Sequence, residues 1–309
     1  MNICYLIQSH RNLDQLERLV RCIKQQSKES IVLVTHDFSS SVLDIQRFEK
    51  IPGVYLFATH SQRGDFSIVR AYLDAVRWLV RSGLSFDWVV NLSGQDYPTQ
   101  PLTKLEMFLA SSDQDAYMEN FQAFSDESHW KFGESYNRYF FHYHQLVKHL
   151  PEWAQDLFHC LKVVNYIQPF FRINFAYGLT IGHRVAPPFS IKFKCYGGSY
   201  LCMLSRKCII HLLEFGENSS HILDYYQHVQ NGDESFFQTV LVNSRKFKIS
   251  KDCKRFFDFP KLSHGHPRVL TTQDYTTLSN ANVFFARKFD SDHDSQILDL
   301  LDRQINLTV

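Results

Sequence analysis

Apolar runs alternate with amphipathic stretches through the first hundred positions, the pattern of successive β-α-β units. NICYLIQ opens the chain as a strand, and a helix is predicted from about Asn12, with Leu13, Leu16, Leu19, Val20 and Ile23 on one face and Gln15 completing a capping-box-like start. IVLVTHD (31–37) and GVYLFA (53–58) are short apolar runs of the kind buried on both faces of a parallel sheet. Ser67 is placed to cap a second helix whose apolar face uses Ile68, Val69, Tyr72, Ala75, Val76 and Leu79, with a stop at Gly83. FDWVVNLSGQDYP then reads as a strand running into a polar loop, and ligands of open α/β sheets bind at such carboxyl ends.

Residues 112–195 carry no clean period. They are rich in Phe, Tyr, His and Trp and are punctuated by Pro151, Pro169, Pro187 and Pro188, which predicts short helices and irregular structure inserted into the α/β core. Regular signals return at YGGSYLCMLSRKCIIHLLEF (196–215), read as a glycine turn, a short strand and a helix capped by Ser205. NGDESFFQTVLVNS (231–244) reads as a turn and a helix.

Composition narrows the class. At 309 residues and 44% hydrophobic, the chain is long enough for a sizeable core. Its formal net charge of +1 supplies no field for nucleic acid or an acidic membrane, so any anion must be held by local clustering. The seven cysteines form no CxxC pair and are odd in number, which reads as reduced thiols. NICYLIQ is interrupted by Ser9, His10 and Arg11 too soon for a signal peptide or membrane span, and no later apolar run is long enough to cross. The expectation is a soluble, cytoplasmic protein without an integral membrane segment, compatible with peripheral membrane contact.

One local cluster stands out. FFARKFD (284–290) sets Arg287 and Lys288 in an aromatic frame, and cations held against a partly buried wall need matched charge. The match is a distant carboxylate or an anionic ligand, and phosphate suits the planar fork of Arg and the point charge of Lys.

Together with NLSGQDYP (91–98), GGSYLCMLSR (197–206) and GDESFFQTVL (232–241), this segment resembles the core-2/I-branching N-acetylglucosaminyltransferase and peptide O-xylosyltransferase family, here as a soluble, bacterial-type member. QSHRNLDQLERLV and RGDFSIVRAYLDAV extend the likeness over nearly the whole chain. The resemblance implies an α/β, GT-A-like fold with a mixed sheet flanked by helices and an aromatic-rich insertion. It also implies inverting transfer of xylose or N-acetylglucosamine from a UDP-sugar to a hydroxyl of a glycan, lipid-glycan or protein, with no metal cofactor. With no repeat or linker visible, 1–309 reads as one domain, 1–111 its nucleotide-binding half and 112–309 its acceptor-binding and catalytic half.

Carried over residue by residue, the family's catalytic base falls on Glu234, with Asp233 as a helix-start cap. Arg287 and Lys288 take the diphosphate in place of a metal. His10, Asp37, Arg63 and Gly64 resemble uridine-binding positions. Asp96, Gly198, Ser199 and Tyr200 face donor or acceptor, the glycines by close backbone approach and Tyr200 as a stacking platform. Arg268 could add charge near the diphosphate.

The residues alone leave other readings open. Asp233-Glu234 is also an ordinary helix start, and Asp96 beside Tyr97-Pro98 an ordinary turn. The DxD spacings at 290–294 precede an apolar helical pattern and read as its acidic first turn rather than a metal site. His142 and His144 lack accompanying ligands in sequence and read as polar surface. A noncatalytic nucleotide- or carbohydrate-binding protein on the same fold is the alternative from another class.

Overall fold

Strands β1 (Ile3–Ser9) and β2 (Ile31–Asp37) are buried at every position, which is why they run apolar instead of alternating. The computed structural model describes residues 1–61, 66–130, 133–147, 164–168, 170–174, 178–260 and 267–307. Further along lie β3 (Val54–Thr59), β4 (Trp88–Ser93), β5 (Asp96–Pro98), β6 (Ala116–Tyr117) and β7 (Phe121–Gln122). The insertion contributes β8 (Phe141–Val147), β9 (Phe171–Asn174) and β10 (Gly178–Arg184), which form their own antiparallel sheet. The chain then supplies β11 (Tyr196–Gly197), β12 (Met203–Ser205), β13 (Ile249–Ser250), β14 (Arg255–Phe257) and β15 (Phe285–Arg287).

The central sheet has the order β13-β6-β12-β4-β1-β2-β3. Its β4-β1-β2-β3 portion is parallel, while β12 runs antiparallel between β4 and β6. This is a mixed α/β sheet, and strands from both sides of residue 111 share it.

The pleat of β1 divides the core in two. Ile3, Tyr5 and Ile7 pack with the helix Leu13–Gln26, the helix Leu102–Ala110 and the C-terminal helix Gln296–Leu307. Cys4 and Leu6 face the helices Ser67–Arg81, Arg206–Asn218 and Phe236–Ser244 on the other side. Each fully buried Leu, Val or Phe in these layers contributes about 1.5–3 kcal/mol.

Two helix starts differ from expectation. Ser67 is the first helical residue rather than the cap, which is Phe66 without a side-chain hydrogen bond. Asn12 does cap the first helix, accepting from the Gln15 N–H at 3.1 Å, but Gln15 does not close the box. Its buried amide donates to the carbonyls of Gly94 and Phe289, both at 3.1 Å, and accepts from the Ser291 N–H at 2.8 Å. Gln15 thereby ties NLSGQDYP to FFARKFD. No helix among the described residues is long and apolar enough to cross a membrane.

Candidate active site

Strands β1, β2 and β4 end on one edge of the sheet, at Ser9, Asp37 and Ser93. After Ser93 the chain turns through Gly94 into β5, which pairs antiparallel with β15 so that Arg287 lies opposite Asp96. Asp96 is fully buried. Its carboxylate accepts from the Ser93 N–H at 2.8 Å and from the Arg255 Nη1 at 2.5 Å, and it lies 3.6 Å from the Arg287 Nε. Asp96 is thus one carboxylate that register brings to the basic segment. Expected to face donor or acceptor, Asp96 has no exposed surface in this structure and is met by the two arginines. Lys288 is half-buried, and its carbonyl accepts from the Leu270 N–H at 2.9 Å.

Glu234 ends a 3₁₀ turn, Gly232–Glu234, ahead of the helix Phe236–Ser244. Arg138 Nη1 donates to its Oε2 at 2.5 Å and Arg138 Nη2 to Glu134 Oε1 at 2.5 Å, while the guanidinium lies 4.5 Å from the Trp130 ring centre. Burial works against the Arg138 charge, yet Glu234 and Glu134 outweigh it and raise its pKa. The Glu234 side chain keeps 35% exposure, and its Oε1 makes no hydrogen bond within the described residues.

Beside it, the Gly198 N–H donates to the Glu234 carbonyl at 2.9 Å. A Cβ on Gly198 would stand 2.0 Å from the Glu119 carbonyl oxygen, and one on Gly197 would stand 2.2 Å from the Trp130 ring. Close approach is real at both glycines, but the approaching group is the protein's own chain rather than a sugar. The Ser199 N–H binds Glu119 Oε2 at 3.0 Å and its carbonyl accepts from Gln238 Nε2 at 2.8 Å. Tyr200 is a core residue and not a platform: its ring stacks on Phe237 at 5.5 Å and its hydroxyl donates to the Ile68 carbonyl at 3.1 Å. The Tyr200 carbonyl accepts from Asn91 Nδ2 at 3.1 Å, and the Asn91 carbonyl from Arg255 Nη2 at 2.9 Å. A path thus runs from the Glu234 carbonyl to Gly198, along the chain through Ser199 to Tyr200, and by hydrogen bonds and ion pairs through Asn91 and Arg255 to Asp96 and Arg287.

Asp233 differs from its neighbour. Burial, reinforced by Glu234, pushes its carboxyl up to about 7, and its Oδ1 is buried without a hydrogen-bond partner. A proton that is held to about pH 7 when folded and lost near 3.8 when unfolded stabilises the fold fully below 3.8, and that contribution fades as pH climbs through 7. Asp233→Asn is therefore expected to gain stability relative to the parent between about pH 4 and pH 7.5. Denaturant titrations of both proteins at the two ends of that window check it, and a pH-independent difference contradicts it.

His10 follows β1 and Asp37 ends β2, the two strands that pair with Ser9 opposite His36. His10 is exposed, its carbonyl accepting from Ser41 Oγ at 2.9 Å. Asp37 is buried, and its two oxygens accept from Ser39 Oγ and Ser40 Oγ at 2.6 Å each and from the Ser39 N–H at 3.0 Å. Burial raises its pKa, but these donors outweigh it and the net shift is downward. Both oxygens serve the local turn, and Oδ2, with Ser40 Oγ as its donor, keeps a lone pair for another. Arg63 and Gly64 lie outside the described residues, as do His264 and His266.

Arg268 is held by Asp258 at 2.6 Å and Asp274 at 2.5 Å, so its charge is spent locally rather than on a diphosphate. In the 290–294 run, Asp294 Oδ1 accepts from the N–H groups of Gln296 and Ile297 at the start of the last helix. His142 and His144 do gain neighbours from the fold: His142 lies 5.8 Å from His183 and 5.2 Å from His228 between ring centres, and burial with these rings pushes His142 down to about 4. Among the described residues no group of three or more His, Cys, Asp or Glu is placed to hold a metal ion.

Comparison with known proteins adds the family. A family model described as Core-2/I-Branching enzyme matches residues 3–277. Beta-glucuronosyltransferase GlcAT14B of Arabidopsis thaliana is 26% identical over 264 residues, covering 84% of this chain and 53% of that protein. Xylosyltransferase 2 of Homo sapiens is 24% identical over 329 residues, covering 98% of this chain and 33% of that protein. The chain spans about half the length of the first relative and a third of the second. Among solved structures, S. aureus TarS 1-349 in complex with UDP-GlcNAc overlays with TM-score 0.30 at 12% identity over 38% of this chain and 34% of that one. The 4-diphosphocytidyl-2C-methyl-D-erythritol synthase of Anaerococcus prevotii overlays with TM-score 0.38 at 11% identity over 90% of this chain and 96% of that one.

Proposed function

Because the chain belongs to the Core-2/I-branching enzyme family, we propose that it transfers a sugar from a UDP-sugar to an acceptor hydroxyl with inversion, without a divalent metal. Glu234 takes the hydroxyl proton as the acceptor oxygen bonds to the anomeric carbon. The bond from that carbon to the β-phosphate oxygen breaks, and UDP leaves with the electron pair. A positioned base contributes roughly 10²–10⁴-fold to such a step. Arg138 holds Oε2 in place, and Oε1 is the oxygen left to take the proton. Arg287 and Lys288 meet the charge that develops on the departing diphosphate, each charge-assisted hydrogen bond contributing about 1.5–3 kcal/mol.

One observation carries this reading. Glu234 and Arg287, distant in sequence, are joined by the path of contacts through Gly198, Asn91 and Asp96 beside the carboxyl ends of the parallel strands. UDP-xylose and UDP-N-acetylglucosamine are the donors the sequence favours, and the names of the relatives bring UDP-glucuronic acid into the set. The test is UDP release from each donor with candidate acceptors, with EDTA present and with glycosylated product detected by mass. Product formation that survives EDTA is expected. Turnover that returns only when a divalent ion is restored overturns the metal-free mechanism, and UDP binding without product from any pair leaves a nucleotide-binding protein.

A further inference from the structure

Register gathers histidines that the sequence leaves scattered. His142 and His144 lie two positions apart on β8 and so share a face, and antiparallel pairing sets His183 of β10 opposite His142. His228 reaches them from the turn after the helix Ser220–Tyr226, where its carbonyl accepts from the Tyr143 N–H at 3.0 Å. Between ring centres, His142 lies 5.2 Å from His228 and 5.8 Å from His183, and His144 lies 5.4 Å from His183 and 6.2 Å from His228. The Tyr225 ring stands 5.3 Å from His142. His144, His183 and His228 are exposed, whereas the His142 Nε2 is buried without a hydrogen-bond partner among the described residues.

Neutral rings pack well at such spacings, but imidazolium charges there repel one another inside the screening length of physiological salt, about 8 Å. What acts on a charge at His142 is burial first, then His228, His183 and His144, and each disfavours it. Of the other ionisable groups on these elements, Arg184 lies over the Tyr136 ring at 5.9 Å, Asp224 accepts from Gln227 Nε2 at 3.2 Å, and His221 is exposed. Folded, His142 is pushed from its ordinary 6.5 down to about 4, so the packed cluster holds its full stability above 6.5 and loses it as pH falls toward 4.

Position gives that titration a consequence. β8 follows the helix Glu134–Tyr139, which carries Arg138, and His228 precedes the Gly232–Glu234 turn. One seam joins the two segments: Tyr225 Oη donates to the Tyr139 carbonyl, Tyr139 Oη to the Asn231 carbonyl at 3.3 Å, and Arg138 Nη1 to Glu234 Oε2 at 2.5 Å. We propose that His142, His144, His183 and His228 form a pH-sensitive latch on this seam, closed while the rings are neutral and opened as they take up protons, so that acid loosens Arg138 from Glu234. Histidine clusters suit such a task because their charge changes in the mildly acidic range and a locally opened state lies only a few protons away.

Hydrogen exchange of the whole chain, expressed as protection relative to intrinsic rates, tests the latch. In the parent, protection within 139–147 and 225–231 is expected to fall at least about tenfold between pH 7 and pH 5, the effect of one proton bound near 6.5 when open and about 4 when closed. Peptides covering 134–138 and 232–236 follow, while β1 keeps its protection. In His142→Gln, neutral at every pH, the fall is expected to shrink to less than about threefold. His183→Gln/His228→Gln changes only exposed positions and guards against a packing failure of the first variant; it keeps the buried ring without two of its neighbours, and a fall smaller than the parent's is expected. Constant protection in the parent, an equal loss in β1, or a fall of parental size in either variant overturns the latch. Loss confined to 139–147 and 225–231 overturns its link to Glu234. Exchange reads the seam without turnover, so the latch can fail while sugar transfer stands, and the reverse.

Discussion

Glu234→Gln is expected to bind UDP as the parent does and to lose transfer by roughly 10²–10⁴-fold, read as kcat at saturating donor and acceptor. The amide has the shape of the carboxylate and still offers an oxygen to Arg138 Nη1, now held at 2.5 Å, so the local geometry survives. What it lacks is a site to receive the acceptor's proton. Loss of the negative charge does not strand Arg138, because Glu134 stays 2.5 Å from its Nη2 and keeps the guanidinium matched. A thermal melt close to that of the parent, together with unchanged UDP affinity, separates loss of the base from loss of the fold. Transfer within about tenfold of the parent removes Glu234 from the role of base.

The contrast between Glu234 and its surroundings shows what the chain discloses before folding. Strands β1 and β2 were legible because burial on both faces demands unbroken apolar runs, and the helices Leu13–Gln26 and Ser67–Arg81 because a one-sided core demands a 3.6-residue period. Family membership was legible from four segments with residues in a fixed order. Partnership was not. Arg138 meets Glu234 across 96 positions and Arg255 meets Asp96 across 159, and nothing local marks Arg255. Only the four-residue spacing of Glu134 and Arg138 hinted that this arginine sits among acids.

Asp37, Tyr200 and Gly198 carry groups suited to ligands, and each is engaged by the protein itself: two serines, the Phe237 ring with the Ile68 carbonyl, and the Glu119 backbone. Polar groups brought to the end of a buried strand must be satisfied whether or not a ligand is present, so a suitable residue type is weaker information than an open surface. Asp96 shows the constructive side of that demand. Buried without exposed surface, it is held by Arg255 at 2.5 Å and lies 3.6 Å from Arg287.

Replacing both cations, Arg287→Met/Lys288→Met, is expected to lower kcat/KM by roughly 10²–10⁴-fold, because two charge-assisted bonds of about 1.5–3 kcal/mol each are withdrawn from the leaving group. The loss falls more on kcat than on UDP-sugar affinity. In the bound donor the diphosphate charge is shared with the bond to the sugar, whereas in the transition state it gathers on the β-phosphate, where the cations gain most. Stability is a secondary matter. Asp96 keeps Arg255 at 2.5 Å when Arg287 is removed, and the main-chain bond from Leu270 to the Lys288 carbonyl does not depend on the side chain. Methionine also keeps an apolar stem at each position, and the neighbouring Phe284, Phe285 and Phe289 are all buried. Single-turnover rates with UDP-sugar and acceptor measure the effect, and a doubly substituted protein that transfers within about tenfold of the parent shows that the diphosphate is stabilised elsewhere.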